Sequence, residues 1–380
     1  MKNDIKAHKH IIFCDEHYNS LGIVRSLGER GILSFLIIIN NKMKLTSKSK
    51  YVKGCYYVDN LDEGYKLLIS IFGNETKKPF LYTSDDTKAS FLDEHYSELR
   101  DKFYFFNAGN NGKVNYYMNK ENIGNLALKH GLNFLKAVKV KKGEIPSDLD
   151  YPVITKAIDS KSAGWKADMH ICNNEEELKK AFDSISSSEV LVQKYIYKKN
   201  EYCMEGISVN KGKDVFISIA STYNYILNNS YSPYMTVENF NRDDIKHKLE
   251  AMLAEIGYEG IYEIEFLIDQ DDTLYFGEIN FRNSTWSYAS SCAGMNLPYL
   301  WAEGMIQGYI DKDAYKPVKN GFTAMVELSD LKHRVKERKY SIIKWIRDFK
   351  KADCKYYVGK KDLKPIFSML LSKLDRRMIK

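Results

Sequence analysis

Between Tyr262 and Arg282 the chain alternates polar and apolar residues on either side of an acidic turn, and no other stretch constrains the fold as tightly. The segments flanking Asp269-Gln270-Asp271-Asp272 read as two strands of a β-hairpin. A period of two sets Glu263 and Glu265 on one face of the first strand, and Glu278, Asn280 and Arg282 on one face of the second. Pairing across the turn brings Glu265 opposite the Glu278–Asn280 region. Two carboxylates and an amide oxygen on one sheet face form a hard oxygen cluster, of the kind Mg²⁺ takes alongside nucleotide phosphates. Arg282, one pleat along, offers a fork of donors to a phosphoryl group or a tetrahedral oxyanion. With no cation present, carboxylates this close repel and raise each other's pKa. Any one of these acids alone reads equally well as the solvent side of an amphipathic hairpin. The combination Glu-x-Phe, acidic turn, Glu-Ile-Asn-x-Arg is specific.

Upstream, short apolar strands alternate with helical patterns. His10–Cys14 is a strand, Leu21, Ile23, Val24 and Leu27 recur at helical spacing, and Gly31 closes that helix. Leu33–Ile39 and Phe80–Thr83 are further strands, with Phe103–Phe106 another. Such alternation implies an open parallel α/β sheet. No GxGxxG follows the first strand, which removes support for a dinucleotide cofactor. Asn19–Gly22 and Ser84-Asp85-Asp86 fall at the C-terminal ends of these strands, where open α/β sheets bind ligands and where helix caps also sit. Further helices are expected at Lys120–His130, Glu175–Phe182 and Asp244–Ile256.

Composition narrows the class. With 44% hydrophobic and 28% charged residues, the chain is globular rather than disordered. Its longest apolar run, Phe35–Ile39, is far below the roughly 20 residues of a membrane span. The polar Met1–His10 stretch has no signal-peptide core. Six scattered cysteines without a CxxC pair suit a reducing compartment and neither zinc nor a disulfide framework. A cytoplasmic protein is expected. Of the net charge of +7, residues 331–380 hold +12 (17 Lys/Arg against 5 Asp/Glu), leaving −5 for the rest. No nucleic-acid motif accompanies that charge, so nucleic acid is not an expected partner.

The late hairpin resembles the ATP-grasp superfamily, whose final strands carry an acidic residue, then Glu-x-Asn, and in many members an Arg two positions on. The resemblance implies an ATP-grasp fold of α/β (α+β) class, preceded by an open parallel α/β domain. It implies Glu265, Glu278 and Asn280 as ligands of Mg²⁺ (or Mn²⁺), and Arg282 as the arginine that binds phosphate and intermediate. Phe281 departs from the Pro or Thr of many members. The likeness covers about residues 115–310 well and 10–110 more loosely. It makes Lys120 the first phosphate-contacting lysine, and Lys156, in Tyr151-Pro152-Val153-Ile154-Thr155-Lys156, the lysine that reaches the α- and β-phosphates. Ser160–Trp165, with Gly164, is similar to the small-residue loop that closes over phosphate, where backbone N–H groups can approach an anion. Gln193, Lys194 and Ile196 correspond to the adenine-binding hinge. Glu201 corresponds to the ribose-binding acid, with Glu205 as a competing candidate. Asn283 and Ser284 fall where relatives contact the acceptor substrate.

The expected layout is therefore residues 1–112 as the N-terminal α/β domain and 113–310 as the ATP-grasp domain, divided into a lid (113–196) and a central subdomain (197–310). A basic extension, 311–380, follows. The resemblance implies an ADP-forming ligase that joins a carboxylate to an amine through an acyl-phosphate, closest in layout to D-aspartate ligase and other ligases of cell-surface assembly. A bicarbonate-using relative and a non-catalytic ATP-binding regulator are the alternatives. Ile366, Leu370, Leu374 and Met378 share a helix face with Phe367 and Leu371, with Lys373, Arg376 and Arg377 on other faces. Such a helix can rest on anionic membrane and meet a lipid-linked acceptor, or pack on its own protein. A homodimer is left open.

Overall fold

A computed structural model describes residues 5–39, 44–147, 149–157, 169–227 and 231–378, with side chains to 372. It divides into two compact units. The larger comprises Met1–Asn119, Tyr202–Glu265 and Glu278–Lys380, and the smaller Lys120–Glu201 and Phe266–Gly277.

The larger unit begins with a parallel sheet of β1 (His10–Cys14), β2 (Ser34–Ile39), β3 (Val52–Val58), β4 (Phe80–Thr83) and β5 (Tyr104–Phe105), in the order β3-β2-β1-β4-β5. Every residue of β1 is buried, as expected of a parallel strand covered on both faces. Ile11, Phe13, Ile37, Leu68, Phe72, Leu81 and Leu92 form its core. Strand order reverses between β1 and β4, so the loops after these two strands open side by side at a topological switch point. Both loops run straight into helices. His17 caps Tyr18–Glu29 by accepting from the Asn19 N–H, and Asp85 caps Asp86–Glu94 by accepting from the Lys88 N–H.

The smaller unit holds an antiparallel sheet of β6 (Ala137–Lys141), β7 (Val153–Ala157), β8 (Ile171–Cys172) and β9 (Glu189–Lys194), ordered β6-β9-β7-β8. Val140, Val153, Val190 and Val192 pack against Leu178, Ala181 and Phe182 of the helix Glu175–Ser184. Alternation leaves Ile154, Lys156, Leu191 and Gln193 on the opposite face. In the helix Lys120–Lys129, Gly124 lies against Phe134, whose ring would stand 2.2 Å from an added Cβ. A side chain there would push the helix away.

A third sheet, of seven strands, is made by β10 (Asn200–Val209), β11 (Asp214–Tyr223), β12 (Tyr234–Glu238), β13 (Gly260–Ile268), β14 (Leu274–Asn280), β15 (Phe322–Met325) and β16 (Cys354–Lys355). Its order is β14-β13-β10-β11-β12-β15-β16. The C-terminal segment thus extends the sheet. Buried Arg25 binds it further, donating to the carbonyls of Tyr356 (2.7 Å), Tyr357 (3.0 Å) and Asp362 (2.9 Å). Glu327 accepts the N–H groups of Tyr356, Tyr357 and Val358 at 2.9, 3.0 and 2.9 Å. Among the described residues no helix is long and apolar enough to cross a membrane.

Candidate functional site

The expected hairpin is present as β13 and β14, neighbours in the sheet. Its polar face is bonded together by Asn280, which is buried. The Asn280 Nδ2 donates to Glu263 Oε2 (3.0 Å) and to Glu265 Oε1 (2.9 Å), while its Oδ1 accepts from Arg282 Nη2 (3.0 Å). Glu265 and Glu278 are half-buried on the same pair of strands. Arg282 also forks onto Asp86, with Nε to Oδ1 at 2.8 Å and Nη2 to Oδ2 at 3.3 Å. Burial works against the Arg282 charge, but Asp86, Glu263 and Glu265 together raise its pKa above the ordinary value.

Behind this face lies an internal acid pair. Glu205, on β10, is fully buried and accepts from Ser284 Oγ and Ser287 Oγ, both at 2.6 Å. Burial raises the Glu205 carboxyl to about 7 although the two hydroxyls pull it down. Glu263 is pushed up further, by burial and then by Glu205 itself.

The switch-point loops meet the chain that leaves β14. The Asn19 Nδ2 donates to the carbonyls of Ser84 (2.9 Å) and Asn283 (3.0 Å), and Asn283 Nδ2 donates back to Asn19 Oδ1 at 2.6 Å. Lys88 pairs with Asp15 and Asp85, each at 3.0 Å. His17, held neutral by burial with a pKa lowered to about 4, feels the charges of Asp85 and Arg282. Both candidate loops therefore serve as helix caps and as part of the Arg282 surroundings.

In the smaller unit, Lys156 on β7 and Gln193 on β9 share the sheet face opposite the helix Glu175–Ser184. The Gln193 Nε2 donates to the Leu135 carbonyl, which turns Oε1 toward the Lys156 ammonium at 2.5 Å. Lys156 is half-buried, and its pKa is lowered first by burial and then by the charge of Lys120, an exposed residue at the start of its helix. Lys194 is exposed and pairs with Asp150 at 3.4 Å, and Ile196 is half-buried. Glu201 is engaged by Lys198 at 2.5 Å.

The comparisons with known proteins add to this geometry. Residues 132–287 match the model of the ATP-grasp domain. This chain carries an ATP-grasp domain. Solved structures share the fold. N5-carboxyaminoimidazole synthetase from Staphylococcus aureus matches with a TM-score of 0.62 at 14% identity, over 87% of this chain and 85% of that one. An L-amino acid ligase from Bacillus licheniformis gives 0.58 at 13%, over 83% and 78%. A biotin carboxylase from Campylobacter jejuni, solved as a beta-gamma-ATP complex, gives 0.59 at 18%, over 81% and 73%.

Several expectations for individual residues change. Glu205 is sealed inside and saturated by serine hydroxyls, so it is no ribose ligand. Asn283 and Ser284 are buried at 2% and 0% exposure, and their side chains are bonded to Asn19 and Glu205. Substrate contact through those side chains does not follow from this geometry. Gly164 and the rest of Ser160–Trp165 lie outside the described residues. Sequence reasoning missed Asp86 as the partner of Arg282, Gln193 as the orienter of Lys156, and the Glu205–Glu263 pair. The signal for Asp86 was its place at a strand's C-terminal end, but only the fold brings residues 196 positions apart together.

Among the described residues no group of three or more His, Cys, Asp or Glu could hold a metal ion alone. Mg²⁺ keeps phosphate and water oxygens and takes only one or two carboxylates from protein. Glu265 and Glu278 supply two carboxylates of such a set, whereas the Asn280 oxygen, which accepts from Arg282, joins it only when the amide turns over.

Proposed function

We propose that the protein is an ADP-forming ligase that joins a carboxylate, of an amino acid, to an amine. The observation that carries this reading is Asn280 tied to Glu265 at 2.9 Å and to Arg282 at 3.0 Å on one hairpin face, within a matched ATP-grasp domain. Lys120 and Lys156 hold phosphate oxygens, with Gln193 fixing the Lys156 head. Lys194 and Ile196 flank the adenine, and Glu201 accepts from the ribose hydroxyls once Lys198 yields. Glu265, Glu278 and Asn280 would hold Mg²⁺, which when bound neutralises charge on the phosphates.

The substrate carboxylate oxygen attacks the γ-phosphorus of ATP, breaking the bond to the β-phosphate oxygen and releasing ADP. Arg282 and Lys156 stabilise the charge that develops, mainly by position. The amine nitrogen then attacks the acyl carbon, inorganic phosphate departs, and the nitrogen loses a proton to give the amide. No enzyme nucleophile is required. The six cysteines form no disulfide, which fits a cytoplasmic location. The same reading has the amine presented at the inner face of a membrane, during cell-surface polymer assembly, where the basic C-terminal segment makes a peripheral contact.

The test is phosphate release from Mg-ATP across pairs of amino acids and amines, with bicarbonate as a separate arm. Release that needs both a carboxylate and an amine, and falls about 10²–10³-fold in Glu278→Gln, is expected. Equal release in Glu278→Gln and the unsubstituted protein would overturn the metal assignment. Release that needs bicarbonate would move the protein to the carboxylating class.

A further inference from the structure

Two helices of the C-terminal segment are apolar on two sides, and packing uses only one. In Ile342–Lys351, the inner side is Trp345, stacked on Phe349 at 5.4 Å and donating its indole N–H to Asp330 at 2.8 Å. Met325 and Ala352 complete that small core. The outer side carries Ile342, Ile343 and Ile346, the second of them 71% exposed. Spacing of i, i+1 and i+4 gathers the three on one surface, and Lys344, Arg347, Lys350 and Lys351 are exposed around it.

Lys364–Met378 repeats the pattern. Ile366 and Met369 are buried, but Phe367 and Leu371 are 60% and 61% exposed, and Leu363 and Leu370 are exposed beside them. These four follow i, i+4, i+7 and i+8, a single stripe. The expectation that Ile366 shares a helix face with Phe367 and Leu371 is corrected: Ile366 is buried on the inner side while those two are exposed. Lys360, Lys361 and Lys364 lie exposed at this helix's start. Among the described residues, seven of the twelve exposed Ile, Leu, Val and Phe side chains fall within residues 342–371. Chance scatter of surface hydrophobics does not concentrate them so.

Charge selects the occupant. Residues 331–380 carry +12 and the rest of the chain −5. A second copy docking through either helix face would bring the same excess of positive charge against it. An anionic bilayer instead takes aliphatic and phenyl groups below its headgroups while the surrounding lysines and arginines meet lipid phosphates. We propose that the apolar outer faces of Ile342–Lys351 and Lys364–Met378 dock the protein on an anionic lipid surface. This deepens the membrane contact in the functional reading above, and names its residues. It needs neither nucleotide nor substrate.

The experiment floats the full-length protein with vesicles, either pure phosphatidylcholine or containing roughly 30% phosphatidylglycerol, without ATP. Expected is recovery with anionic vesicles at least about tenfold above the neutral ones, falling as salt rises from about 0.1 to 0.5 M. Ile343→Asp with Ile346→Asp, and Phe367→Asp with Leu371→Asp, should each cut recovery by about fivefold or more without shifting the thermal midpoint, because all four side chains are exposed. Equal recovery with and without anionic lipid overturns the proposal. So does wild-type recovery of the variant carrying all four changes, or a concentration-dependent dimer that these changes dissolve in the absence of vesicle binding. Because flotation is read without turnover, its failure leaves the ligase reading intact, and failure of phosphate release leaves this one intact.

Discussion

Lys156 and Asn280 belong to regions built in opposite ways. Around Asn280 the amide is bonded at both ends, Arg282 has two carboxylate-bearing or amide partners, and Glu205 is saturated by serine hydroxyls. Around Lys156 one amide oxygen faces an ammonium whose neighbour is another lysine. The first region is preorganised by its own atoms, which lowers the cost of positioning a reacting group. The second has its ammonium lowered by burial and by the charge of Lys120, and the proposed function places phosphate there. Under the proposed function, the rigid region would hold the metal and the other the phosphates.

The largest expected effect is in the Lys156 region. Lys156→Ala should lower kcat/KM for ATP by about 10³-fold, about 4 kcal/mol, while thermal stability holds or rises because a half-buried cation that feels the charge of Lys120 is gone. A parallel loss of stability would make Lys156 structural and break the contrast. At the rigid face the order reverses. Glu205→Val should cost about 3 kcal/mol in urea unfolding, since it strands the Ser284 and Ser287 hydroxyls in an apolar interior. An unchanged unfolding midpoint would show that the acid pair does not hold this region together.

Acid should also reach the larger unit through His10. This buried ring sits between Tyr82 Oη and the Ile5 carbonyl, both at 3.0 Å, and burial lowers its pKa from 6.5 to about 4. The unfolded chain therefore takes up a proton that the folded one refuses. Stability present above pH 6.5 is lost as pH falls toward 4, by up to about 3 kcal/mol from this group. Thermal midpoints measured across that window should fall less steeply in His10→Gln, and an unchanged slope would remove His10 from the account. The smallest effect is in the other unit: Gly124→Ala should cost about 2 kcal/mol by forcing its helix off Phe134. Faster amide exchange confined to residues 120–201 and 266–277 would sharpen the separation of the two units.

The sequence made the hairpin legible because period-two alternation and a run of acids survive in one dimension. Lys156 was legible from its strand, Val153–Ala157, and the parallel sheet from buried runs such as Ser34–Ile39. What stayed hidden depends on distant pairing. Asp86 meets Arg282, Asn19 meets Asn283, and Arg25 meets Asp362 only after the chain has folded. Burial has no periodic signature at a single position either, so Glu205 read as a ribose candidate and Ser284 as a substrate contact until their exposure was known. The discontinuous units escape a reading along the chain because β10, β13 and β14 each run through a boundary between them.

The central claim is that the β13–β14 face receives the metal of a metal–nucleotide complex. The direct measurement is a crystal structure with Mg²⁺ and a non-hydrolysable ATP analogue. The account predicts oxygens of Glu265, Glu278 and Asn280 at about 2.1 Å from the ion, and the Lys156 ammonium within about 3 Å of a phosphate oxygen. Those three side chains turned to bulk water, with the triphosphate bound elsewhere or not at all, would contradict it.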